Sequence, residues 1–267
     1  MHIERSSEIK IEPKPFVAAR SEKRALRKVE ATIVAVEEIT PIEQERMYAI
    51  FSKYYINHNR NTFLDDLYEK DHVIMLRDKE NKTIQGFSTL LKVSIKSGRS
   101  HVTGIFSGDT VLEKEYWGNK ALGVAFLRYL WIEKIKNPFR PVFWFLISKG
   151  YKTYLLMANN FQTHFPRFEM ATPPRYQKIM DSFYSKKFPQ YYRPEKGLIE
   201  FESHSCSLKE KVAEISLDLL KNQRVQFFTK MNPHWDRGFE LACLSEMTIL
   251  MPLKYFFKKI LIQKRKK

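Results

Sequence analysis

Six residues, Glu115-Tyr116-Trp117-Gly118-Asn119-Lys120, precede an apolar helical stretch that begins at Ala121. A helix start leaves backbone N–H groups without internal partners and carries partial positive charge, which suits phosphate oxygens. Gly118 would let a ligand approach the backbone closely. Lys120 in the first turn opposes the helix dipole and makes sense if an anion sits nearby. Trp117, Gly118, Asn119, Lys120 and Ala121, with Val111 at the end of the strand before them, are the expected ligand-binding set. The competing reading is an ordinary turn glycine beside a solvated lysine. A second place is Phe106-Ser107-Gly108-Asp109-Thr110, where Gly108 permits a strand bulge that would aim a side chain into a cleft. There is no P-loop, no Gly-x-Ser-x-Gly elbow and no His-Glu-x-x-His. The seven histidines are scattered.

Composition narrows the classes. The chain has 267 residues, of which 43% are hydrophobic and 14% aromatic, enough for a large core. Its formal net charge is +16, which attracts nucleic acid, anionic headgroups, acidic proteins or phosphorylated ligands. Cys206 and Cys243 form neither a CxxC pair nor a zinc spacing, and no metal site is expected. A reducing, cytoplasmic compartment follows as the simpler assumption. No apolar signal region and no run long enough for a membrane span is expected.

Periodicity supplies the elements that must hold these residues. Val29 to Ile39 suits a first strand. Thr40-Pro41-Ile42-Glu43 is a helix start, with Thr40 as cap, Pro41 at the first position and Glu43 as capping-box partner. Met47, Ile50, Phe51, Tyr54 and Tyr55 follow at helical spacing. A short helix covers Thr62 to Glu69. His72 to Arg77, Thr83 to Ile95 and His101 to Leu112 form a meander. Ala121 to Lys136 is a helix. Val142 to Ile147 is a strand buried on both faces. Further helices are expected at Tyr151 to Asn159, Arg175 to Lys187 and Leu208 to Lys221, and a last strand at Glu240 to Met251.

This order resembles the GNAT acyltransferases from about Val29 to Phe168. Asp71 to Ser88, with its Ile84-x-Gly86-Phe87 step, looks like the family's second and third strands. Glu115 to Lys120 stands where the family has Gln/Arg-x-x-Gly-x-Gly/Ala. Gly118 matches, Glu115 replaces the Gln/Arg and Lys120 the second small residue. The resemblance implies an α/β fold with a central mixed, mainly antiparallel sheet flanked by helices. It also implies acyl transfer, with acyl-CoA as co-substrate. Asp109 is the carboxylate matching the family's base, and His101, Ser107 and Thr110 are secondary candidates. Tyr154, or Tyr151, matches the tyrosine near the leaving thiol, although each is as readily a packing aromatic. Asn159 and Asn160 cap that helix or touch substrate.

The expected organisation is a flexible basic arm over 1–28, an acyltransferase core over 29–170, a C-terminal extension over 171–252 and a basic tail over 253–267. In the tail, Leu253, Phe256, Phe257, Ile260 and Leu261 fall on one stripe, with lysines off it. Such a segment suits an anionic membrane surface, or it docks on the domain. An acyl carrier protein is the alternative donor, since a basic face suits an acidic carrier. The rival functions are a non-catalytic module of the same fold that binds membrane or an acidic partner, and a nucleic-acid binder. The spread of the lysines along the chain argues against the last.

Overall fold

Alternating and continuous apolar runs set the sheet, and helical stripes cover it. The computed structural model describes residues 28–98, 100–201, 207–208 and 215–251. In chain order the main elements are β1 (Val29–Ala35), α1 (Pro41–Phe51), α2 (Arg60–Tyr68), β2 (His72–Asp78), β3 (Ile84–Ser97) and β4 (Ser100–Leu112). Then come α3 (Ala121–Lys136), β5 (Val142–Ser148), α4 (Tyr151–Asn160), α5 (Pro174–Lys187), β6 (Leu198–Glu200), α6 (Gln223–Met231) and β7 (Phe239–Met247). The sheet runs β1-β2-β3-β4-β5-β7-β6, with Tyr192–Arg193 at its far edge and His164–Phe165 pairing β7. β4 and β5 are parallel and the other pairings are antiparallel. This is the mixed, mainly antiparallel sheet expected. β7 lies beside β5, so a strand from the 171–252 region completes the centre of the sheet.

One face is packed by α3, α4 and α6 through Leu122, Phe126, Tyr154, Met157 and Phe228. The other is packed by α1 and α2 through Met47, Ile50, Phe63 and Leu67, and by α5 through Ile179, Phe183 and Tyr184. Both faces of β5 are covered, and Val142 to Leu146 are all buried. The buried Tyr184 hydroxyl lies 2.8 Å from Leu146 O and 2.7 Å from Cys243 O, tying α5 to two strands.

The capping box at Thr40 is present: Glu43 N–H donates to Thr40 Oγ1, and Thr40 N–H donates to Glu43 Oε2 at 2.9 Å. The first strand stops at Ala35, and Val36–Glu38 forms a 3-10 turn instead. The helix expected over Leu208 to Lys221 is corrected where it can be seen. Ser207–Leu208 is extended and pairs Tyr55–Ile56, and among the described residues of this span only Leu219–Lys221 is helical, as a single 3-10 turn. The arm over 1–27, any helix there and the tail helix lie outside the described residues.

His164 gives a pH prediction. It is buried, its Nδ1 donates to Phe161 O at 2.9 Å, and its Nε2 has no partner among the described residues. Burial holds its pKa below the ordinary value, despite that hydrogen bond. The unfolded chain therefore takes up a proton that the native protein refuses as pH falls past the ordinary histidine value. Stability should drop below about pH 6.5, by at most about 1.4 kcal/mol per pH unit from this group. Urea midpoints against pH should fall less steeply in His164→Asn. Parallel curves would rule the contribution out.

Candidate active site

Two neighbouring parallel strands part in the middle of the sheet. β4 pairs β5 from Thr103↔Val142 to Ser107↔Leu146. Beyond that point β4 stays with β3 alone, and the register there jumps from Leu90↔Ser107 to Ser88↔Thr110. Gly108 and Asp109 thus oppose Thr89 alone, which is the bulge expected at this glycine. Only glycine fits: a Cβ on Gly108 would lie 2.5 Å from Thr89 Oγ1 and 3.2 Å from Lys70 Cε. On the other strand, Ser148 Oγ donates to Gly150 O at 2.9 Å, and the chain turns into α4.

The bulge places Asp109 among charges. Asp109 is half-buried. Burial, with the Asp66 carboxylate next in weight, pushes its carboxyl up to about 7, against the pull of the Lys70 and Lys149 ammonium groups. Lys70 has a fully buried side chain, with Nζ 2.7 Å from Asp66 Oδ1. Lys149 Nζ lies 3.2 Å from Glu240 Oε1 and 5.3 Å from the centre of the Tyr55 ring. The buried Thr89 hydroxyl beside the bulge has no partner among the described residues. A carboxylate held near neutral pH is suited to accept a proton in a reaction.

The chain after β4 is fixed by Glu113. This buried carboxylate accepts from Arg46 at 2.9 Å and Lys53 at 2.5 Å, both on or just after α1. Its N–H donates to Gln85 O at 2.8 Å. Trp117 then projects outward, with Nε1 donating to Leu112 O at 3.0 Å. Tyr54 and Lys152 flank its ring at 5.7 and 5.6 Å. Gly118 has φ +83°, a conformation that favours glycine, and a Cβ there would meet nothing within 4 Å. A Cβ on Gly123, in the first turn of α3, would likewise meet nothing within 4 Å. Lys120 is the N-cap and makes no side-chain capping bond. Ala121 N–H donates to Asn119 Oδ1 at 2.8 Å.

The other expected site residues divide. Val111 is buried in the cluster beneath α1, so its side chain packs rather than faces the turn. Thr110 shares a 2.7 Å hydrogen bond with Ser88, and Ser107 Oγ accepts from Trp144 Nε1 at 2.8 Å. His101 is exposed near the opposite end of β4. Tyr154 is buried against Phe227 and Phe228 of α6, and its hydroxyl donates to Pro166 O at 3.1 Å. Tyr151, one turn earlier, is buried at the head of α4. Asn159 accepts from Arg224, and Asn160 bonds back to Leu156 O. Sequence reading missed Asp66, Lys70, Lys149 and Glu240. The i,i+4 spacing of Asp66 and Lys70 was a visible signal, but such pairs usually mark a solvated helix face. Two surface cavities, of about 640 and 590 Å³, lie elsewhere, one by Lys96 and Arg175 and one by Lys230 and Phe239. Among the described residues no cluster of metal-ligand type occurs.

The meander, the parallel β4–β5 pair joined through α3 and the parting of those strands make this a GNAT-like fold. No family model matches the sequence, and no curated protein matches it. Similar solved structures include a conserved protein of unknown function from Enterococcus faecalis described as a probable N-acyltransferase. It is 12% identical with a TM-score of 0.39, over 51% of this chain and 33% of that one. The chain thus spans about a third of that protein. Another is a Trypanosoma brucei acetyltransferase, 10% identical with a TM-score of 0.37, over 54% of this chain and 100% of that one. A third is a GNAT family N-acetyltransferase from Escherichia coli in complex with CoA. It is 12% identical with a TM-score of 0.36, over 51% and 71% of the two chains.

Proposed function

We propose that the chain is an acyltransferase that takes an acyl group from a thioester donor and passes it to an amine or hydroxyl. The observation that supports this most is Asp109, a carboxyl set by a β-bulge at the parting of two parallel strands and raised to about 7. It would take the proton of the attacking nitrogen or oxygen as the new bond to the acyl carbon forms. The C–S bond breaks, and the thiolate leaves with its electron pair.

Coenzyme A is the proposed donor. Its phosphates fit the start of α3, where Asn119 Oδ1 takes the Ala121 N–H but Lys120 makes no capping bond, and both Gly118 and Gly123 leave room. Lys120 stands at that start, and Lys152 lies over the nearby Trp117 ring. An acyl carrier protein would use the same basic surroundings less specifically. The test is thiol release from acetyl-, hexanoyl- and palmitoyl-CoA in the presence of a panel of amines and alcohols. Release that depends on both thioester and acceptor is expected. Thioester binding with no release at any pH would favour a non-catalytic module of the same fold.

One variant probes the anion site. Gly118→Val forces a branched side chain into a positive φ and into the open space over the turn. Binding of CoA should weaken by about tenfold or more, the scale of one or two lost phosphate hydrogen bonds. Unchanged affinity would place the phosphates elsewhere.

A further inference from the structure

We infer that the outer face of α3, together with Ile249 and Leu250 after β7, docks on an anionic membrane surface. This stands apart from the acyl-transfer reading and survives its failure. α3 buries Leu122, Phe126 and Leu130 against the sheet. The opposite side of such a helix is normally polar. Here Val124, Trp131 and Ile135 are 49%, 36% and 47% exposed, and Phe139, just past the helix, is fully exposed. Ile249 and Leu250 add to the same patch. Trp131 Nε1 donates to Ile249 O at 3.3 Å, so the chain leaving β7 lies against the middle of α3. Single exposed apolar residues are ordinary, but a contiguous group drawn from two segments marks an interaction surface.

Charge selects the occupant. Arg128 is exposed on the same side of α3, one turn after Val124 and just before Trp131. Met251 is the last described residue, and the sequence then carries seven cations and no acid over 253–267. Its apolar residues Leu253, Phe256, Phe257, Ile260 and Leu261 recur at helical intervals. A protein partner for an apolar patch needs no such excess of lysine. An anionic bilayer uses both features, since apolar and aromatic groups enter the headgroup boundary while cations meet the headgroups.

The experiment is co-sedimentation of the full chain with phosphatidylcholine vesicles, with and without phosphatidylserine, at rising salt. Variants are Trp131→Glu with Ile135→Glu, Phe139→Glu alone, and a chain truncated after Met251. Phe139→Glu keeps the test valid should the double variant misfold, because Phe139 is fully exposed. The full chain should pellet only with anionic vesicles and lose binding as salt rises. Truncation and the α3 double variant should each weaken binding by about tenfold or more, and Phe139→Glu by less but measurably. Binding indifferent to lipid charge, or unaffected by any variant, overturns the proposal. So does a full chain that stays in the supernatant, including one whose patch variants instead dissociate a dimer in gel filtration or abolish RNA binding.

Discussion

Asp109→Asn should lower acyl transfer by about 10²- to 10⁴-fold, the usual contribution of a positioned general base. The amide keeps the shape of the carboxyl and cannot take the proton. The native rate should rise with pH through a midpoint at about 7 and level off above it, because the carboxyl must lose its proton to act and its pKa lies at about 7. The stability effect runs the other way. The folded pKa is raised above the ordinary value of 3.8, so the native state holds this proton more tightly than the unfolded chain does. The stabilisation is fully present below about pH 4 and is lost as pH rises to about 7. Above that pH, Asp109→Asn should therefore melt no lower than the native chain. Loss of activity in a protein of equal or higher melting temperature separates catalysis from unfolding. Transfer that continues unchanged in the asparagine variant would remove Asp109 from the chemistry.

Phe145→Ala should cost about 3–5 kcal/mol of folding stability, as large-to-small changes of a buried aromatic do. Phe145 is fully buried in β5, with its ring centre 4.4 Å from that of Phe183 and 5.8 Å from that of Tyr184. Its ring lies over Gly104 of β4, where a Cβ would come within 2.9 Å of Phe145 Cε2. Gly104 itself has no side chain to fill the space the ring leaves. The cavity penalty should therefore be near the top of the range. It should also loosen α5, which holds β5 and β7 through Tyr184. A urea midpoint for Phe145→Ala that corresponds to less than about 1 kcal/mol would mean that the core collapses around the gap.

Particular residues show what the sequence made legible. The capping box at Thr40 and Glu43 is local chemistry, and it forms as spaced. The continuous apolar run Val142 to Ile147 signalled a strand packed on both faces, and β5 is one. Gly108 signalled a bulge because a missing side chain in a strand asks for a reason. The partner of that bulge was not legible. Thr89 and Lys70 lie far from Gly108 in sequence, and only the β3–β4 register and the end of α2 bring them together. Tyr154 had the right spacing after β5, but α6 covers it, and α6 lies in a stretch whose period was too weak to read. The start of the helix expected over 208–221 failed for a different reason. Its apolar residues repeat at helical intervals, yet Ser207–Leu208 finds a strand partner in Tyr55–Ile56, a long-range pairing that local propensity does not encode.

The measurement closest to the central claim is a calorimetric titration of acyl-CoA thioesters into the full chain, repeated with Gly118→Val. The account predicts one-to-one binding within the range of about 1 μM to 1 mM common for enzyme substrates. It also predicts weakening with salt, since the phosphates meet cations, and loss of most of the affinity in Gly118→Val. Absence of heat for CoA and for every thioester tried would contradict it, as would binding that Gly118→Val leaves untouched.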